Sequence, residues 1–144
     1  MRRNHRFSRS GIAIVEFSLV VPLFLLLCLA AIDFGRVFRA TMVLSGATRA
    51  GMSYAGSSSS ASADTTGITN IVKTTAGSPT GIAVSTSSFC TCSRGGAQVA
   101  CSNSCTGKAS YVSVTTTLPF QTVMSWGVIP SSLTISTTAV SRIQ

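Results

Sequence analysis

The sequence predicts an α+β protein in which a long amino-terminal helix leads to a short second helix and a small antiparallel sheet. Three observations point there. An apolar run from Ile12 to Ile32 passes without a break into a stretch whose apolar residues recur every three or four positions as far as Tyr54. Asp64 stands where a helix N-cap belongs, ahead of Ile68, Ile71 and Val72. After Gly77-Ser78-Pro79 the apolar period falls to two.

The first segment, residues 1–11, is a basic leader carrying Arg2, Arg3, Arg6 and Arg9. Residues 12–32 follow as a transmembrane helix, apolar apart from Glu16 and Ser18. At about 1.5 Å per residue, roughly 20 such residues cross a hydrocarbon core of about 30 Å. Pro22 lies within the span and is expected to kink it. The leader's arginines outweigh Arg36, Arg39 and Arg49 beyond the span, which puts the N-terminus inside the cell and the remainder outside. A cleaved secretory signal fits less well: the apolar region exceeds the usual 7–15 residues or so, and Leu29-Ala30-Ala31 has leucine where a small residue is needed. Cys28 follows Leu25-Leu26-Leu27, a poor context for a lipidated cysteine.

Residues 33–55 are read as an external extension of the same helix, with Phe34, Val37, Phe38, Leu44, Ala47, Gly51 and Tyr54 on its apolar side. From Ile12 to Tyr54 that makes one helix of roughly 65 Å. Residues 56–63 form a Ser-rich linker. Residues 64–144 form the exported α+β domain. Its short helix is followed by three alternating runs: Ile82, Val84 and Thr86; Val112, Val114, Thr116 and Leu118; Leu133, Ile135, Thr137 and Ala139. The apolar stretch from Phe120 to Ile129, which holds Trp126, reads as a loop folded over the sheet, with an exposed partner-binding patch as the alternative.

The net charge of +8 raises the question of nucleic acid, but the arginines cluster before the span and the other basic residues are scattered singly. No basic stripe with interleaved aromatics exists, so nucleic-acid binding is not expected. Catalysis is not expected either. The lone histidine is His5, and the three acids are Glu16, Asp33 and Asp64, from which no acid–base pair or activated nucleophile can be assembled outside the membrane. No cofactor is implied.

Four of the five cysteines, Cys90, Cys92, Cys101 and Cys105, crowd one Ser- and Gly-rich region. A CxC pair with an x3 partner is not the usual zinc-knuckle spacing, and an exported domain meets oxidant. Two disulfides are therefore expected rather than a metal site. Three connectivities are possible, of which pairing Cys90 with Cys92 is the most strained. Ser93-Arg94-Gly95-Gly96 suggests a hairpin turn that the bridges staple.

Glu16 is costly in a membrane helix, about 2.5–3.5 kcal/mol near the centre and less towards the interface. Gly11 precedes it by five positions, directly after the arginine-rich tail. If the chain were cut after Gly11, Ile12 would supply a positive amine able to neutralise Glu16, within a chain or between neighbours. The cut would remove four of the eleven Lys and Arg.

These residues resemble the TadE-like pseudopilins of the tight-adherence (Flp-type) pilus system. The resemblance rests on Ser10-Gly11-Ile12-Ala13-Ile14-Val15-Glu16-Phe17 running into Pro22-Leu23, on the membrane-boundary motif Ile32-Asp33-Phe34-Gly35-Arg36, and on Ala47-Thr48-Arg49-Ala50-Gly51-Met52-Ser53-Tyr54-Ala55. A weaker part is Leu118-Pro119-Phe120 with Ile129-Pro130-Ser131-Ser132-Leu133-Thr134-Ile135. The cysteine cluster and the Ser-rich linker are not part of the family pattern, and Ile12 stands where pilins often have Phe or Met. The resemblance implies a pilin-like fold, cleavage between Gly11 and Ile12 by a prepilin peptidase, and an assembly role for Glu16. It implies a minor pilin or pseudopilin that supports assembly or priming of the pilus, and through it adhesion and biofilm formation. Its partners would be other pilins or pseudopilins, the inner-membrane assembly platform and the lipid bilayer. It would sit in the inner membrane as a single-pass protein with the C-terminal domain periplasmic or extracellular, or be incorporated in the pilus. A bulk filament subunit and an uncleaved membrane-anchored binding module are the alternatives.

Overall fold

The computed structural model describes residues 9–93, 96–123 and 131–143, with only the backbone described for 9–12. The basic residues before Arg9, the turn residues Arg94 and Gly95, and most of the segment around Trp126 lie outside the described residues. The architecture is α+β as expected, with three helices and four strands among the described residues, in the order α1 (Arg9–Ala55), α2 (Ser59–Ala63), α3 (Thr65–Thr75), β1 (Ala83–Thr91), β2 (Gln98–Val99), β3 (Ala109–Gln121) and β4 (Ser132–Ile143).

Helix α1 is 47 residues long and runs on through Pro22. Its two halves differ in what surrounds them. In the first, the side chains of Ile14, Phe17, Leu19, Leu23 and Phe24 are all exposed, so nothing among the described residues accounts for their apolar character. In the second, Leu44, Ala47, Thr48, Gly51, Met52 and Ala55 are buried. The helix ends where Gly56 and Ser57 donate their amides to the carbonyls of Met52 and Tyr54.

The stretch read as a linker contains a helical turn. Ser58 is extended, and its side chain accepts from the amide of Ala61, the N-cap arrangement that lets so short a helix form. Ala61 is buried as a result. Asp64 caps α3 as expected, accepting from the amide of Gly67 at 2.9 Å, and Ile68 and Val72 are fully buried. At the far end Gly77, with φ of 77°, closes α3. Its amide donates to Thr74 and that of Ser78 to Lys73, satisfying two terminal carbonyls.

The sheet is antiparallel with strand order β2-β1-β3-β4. Strand β3 is central: Thr116 faces Val84 on one side and Thr137 on the other, and Leu118 faces Ile135. Because side chains alternate, Val112, Val114, Thr116 and Phe120 share one buried face, against which α1 packs. Leu133 lies on that face too, yet at the end of the sheet it is exposed. The opposite face is mostly serine and threonine, with Phe89 stacked on its cross-strand partner Tyr111 at 5.3 Å.

Two clusters form the core. One joins Ala47, Met52 and Ala55 of α1 with Ile68 and Val72 of α3 and with Val112 and Val114 of β3. The other, nearer the apolar half of α1, joins Leu44, Phe120 and Ile135. Helices α1 and α3 meet at Gly51, where a Cβ would lie 2.4 Å from a methyl of Val72. Only glycine permits that approach. α1 and β3 therefore run side by side in opposite directions, Leu44 beside Phe120 and Met52 beside Val112.

Candidate functional site

The expected site residues fall at three heights along the molecule. Gly11 and Ile12 lie in the first turn of α1, four residues or fewer from its start at Arg9. Glu16 is exposed among exposed apolar side chains, and no cation pairs with it among the described residues. Were Ile12 the first residue, its amine and the Glu16 carboxylate would lie on one helix face about 6 Å apart along the axis. A carboxylate left open in such surroundings is available to a partner supplying a positive charge.

At the end of the apolar half, the boundary motif does something the sequence did not disclose. Both carboxylate oxygens of Asp33 accept the backbone N–H of Val123, at 3.1 Å each. Val123 follows β3 and is 90 residues away in the chain. Arg36 donates to Asp33 at 3.1 Å and places its guanidinium 5.1 Å from the centre of the Phe120 ring. The arginine thus joins a carboxylate on its own helix to an aromatic ring on the sheet. Asp33 and Arg36 fasten α1 to the end of β3, which makes the two sequence motifs 32–36 and 118–120 one structural unit. Gly35 has no neighbour within 4 Å of where a Cβ would stand, so this fastening does not depend on it.

At the other end of the sheet, Cys90 is bridged to Cys101 and Cys92 to Cys105. The bridges interlace rather than nest. Strand β2 pairs with β1 through Cys90 opposite Val99, giving the expected hairpin, and Cys90 is buried. Ten residues of β3 separate Ser110, which faces Cys90, from Phe120, so the bridges lie about 34 Å from the boundary motif. All four sulfurs are consumed, which leaves no thiolate set for zinc. Cys28 in the apolar half is free.

Tyr54 and Asp64 make a second fastening. The Tyr54 hydroxyl donates to Asp64 at 2.9 Å, tying the end of α1 to the start of α3. The amide of Gly67, and after it the Tyr54 hydroxyl, hold the Asp64 carboxyl below its ordinary range; the same bond raises Tyr54. Between the two fastenings α1 exposes Phe34, Phe38 and Met42, which recur every fourth residue.

An apolar helix long enough, by length and composition, to cross a membrane continues as the spine of a small sheet domain, the arrangement of a membrane-anchored protein. The model of the family described as TadE-like protein matches residues 11–52, so along that stretch the chain is TadE-like. The match begins at Gly11 and takes in Glu16, the boundary motif and the helix as far as Met52. No curated protein and no solved structure matches the chain.

Proposed function

We propose that this protein is a minor pseudopilin of a tight-adherence pilus, supporting assembly or priming of the fibre. The observation that carries the reading is that the segment matching the family contains a wholly unburied apolar half-helix with an open carboxylate, Glu16. Residues 12–32 lie in the inner membrane, the basic leader 1–11 is cytoplasmic, and residues 64–144 form the exported head. A prepilin peptidase cuts between Gly11 and Ile12. The new amine and Glu16 then neutralise each other across neighbouring subunits, holding helices in register while both groups stay in lipid. The other pilins and the inner-membrane assembly platform receive the helix. The disulfide-bridged hairpin is structural and keeps the far end of the head intact outside the cell.

N-terminal sequencing of the membrane-extracted protein tests this. A chain beginning at Ile12 supports it. A chain retaining Arg2 to Arg9 leaves a permanently anchored module and removes the mechanism.

A further inference from the structure

Both edges of the sheet are open. β4 is the edge on one side along all of Ser132–Ile143. On the other side β2 reaches only Cys90 and Thr91, so the stretch Ala83–Ser88 of β1 has β3 as its one neighbouring strand. Among the described residues, no backbone hydrogen bond other than those to β3 reaches Ala83–Ser88 or Ser136–Ser141. Proteins commonly guard such edges with lysine, proline or a bulge, which stop one chain pairing with another. These two stretches contain neither lysine nor proline, and their register with β3 is unbroken.

The open stretches match in height and in direction. Ser113 faces Ser87 on one side and Val140 on the other; Thr117 likewise faces Ala83 and Ser136. Both β1 and β4 run antiparallel to β3, and so along the direction of α1. An antiparallel pairing of either edge with the same edge of another copy would turn the second α1 end over end. Its apolar half could then not share a membrane with the first. Pairing β4 with β1 of a neighbour keeps both helices pointing the same way.

The hydrogen-bond phase of the strands agrees. A strand residue points both its backbone groups to one side, so Ser113 bonds to only one of Ser87 and Val140, and the other turns its groups outward. In a parallel ladder, a residue that turns towards the neighbouring strand stands level with one that turns away. A copy shifted sideways at unchanged height meets this condition in every row.

We propose that β4 of one copy pairs with β1 of a second copy, parallel and at the same height, with Val140 beside Ser87 and Ser136 beside Ala83. The choice of neighbour rests on the reading of residues 12–32 as a membrane span. Three strand spacings of about 4.8 Å set successive α1 axes about 14 Å apart, wider than the 8–10 Å or so of packed helices, so the spans run alongside without collision. The contact is head-to-tail: each copy leaves one edge free for the next, and a row can extend.

The test uses two full-length chains with different tags, both carrying Cys28→Ser to remove the free thiol. One also carries Ser87→Cys and the other Val140→Cys, both exposed positions, and membranes from cells making the two together are oxidised. A mixed dimer should form, and peptide mapping should join positions 87 and 140. Adding Ala83→Lys with Ser136→Lys to both chains should lower its yield about fivefold relative to Ala83→Lys with Ser136→Glu, since like charges then stand opposite each other. Absence of the mixed dimer, or equal yields from the two charge forms, overturns the proposal. Dimers as abundant within either single-cysteine population overturn it in favour of an edge meeting its own copy. Alkaline carbonate extraction separates the premises: a chain released as soluble protein defeats the anchor and with it the choice of neighbour, whereas an anchored chain without the mixed dimer defeats the pairing alone.

Discussion

The carboxylate of Asp33 accepts the backbone amide of Val123 through both oxygens, joining the outer end of the apolar helix to the end of the central strand. An acid at the exit of a membrane span would ordinarily face water. Here its side chain is only 17% exposed, because the sheet comes down to meet it. The boundary motif is thus a joint between the two parts of the molecule.

Asp33→Ala removes an acceptor from the Val123 amide and leaves Arg36 unpaired. A charge-assisted hydrogen bond is worth about 1.5–3 kcal/mol, and the half-exposed arginine adds less than about 1 kcal/mol. The detergent-solubilised protein should melt several degrees lower by circular dichroism. An unchanged melting temperature would show that the joint carries no stability.

Gly51→Ala and Gly46→Ala should act in opposite directions although both lie within α1. At Gly51 the new methyl meets Val72, and overpacking costs about 1–3 kcal/mol. At Gly46 nothing stands within 4 Å, so the better helix former gains up to about 1 kcal/mol. Paired denaturation curves for the two variants measure this; equal effects would contradict the close crossing of α1 and α3.

Non-reducing peptide mapping should recover Cys90 joined to Cys101 and Cys92 joined to Cys105. Replacing Cys92 and Cys105 together by serine should cost about 2–4 kcal/mol while leaving the first bridge formed. Free thiols in the exported protein would refute the assignment.

The Tyr54–Asp64 contact predicts a pH dependence at both extremes. Asp64 is held below its ordinary range, so its contribution is complete above the unfolded carboxyl value of about 3.9 and is lost as pH falls through the folded one. Tyr54 is raised, so its contribution is complete below about 10 and is lost as pH rises through its folded value. In Tyr54→Phe the alkaline loss should vanish and the acid loss shrink, since Gly67 still bonds Asp64. Melting curves across pH would decide it; an alkaline limb that persists in Tyr54→Phe assigns the loss elsewhere.

Glu16→Ala should leave membrane insertion intact and impair fibre assembly, because the carboxylate is exposed. Normal pilus number in cells carrying the variant would count against the proposed charge pairing.

What the sequence disclosed were features governed by near neighbours. The length of α1, the Asp64 cap and the period-two runs of β3 and β4 all follow from spacings of two to four residues. The Asp33–Val123 joint was hidden because one partner is a backbone amide, and an amide's residue name says nothing about what it will bond. Gly51 could be seen on the apolar stripe, but its necessity depends on where α3 crosses. The cysteine pairing likewise waited on strand register, which places Cys90 opposite Val99 and Ser110. Ser58 misled in a different way: a run of serines reads as a flexible tether, yet the first in extended geometry caps a helical turn.

The two fastenings also determine how the protein can bend. Gly35 and Gly46 are natural weak points of α1, but both lie between Asp33 at one end and Tyr54 at the other, where the sheet splints the helix. Flexing there would have to tear open a joint or a cap. The first weak point outside the splint is Pro22, before Asp33, where the missing N–H removes one hydrogen bond from the helix ladder.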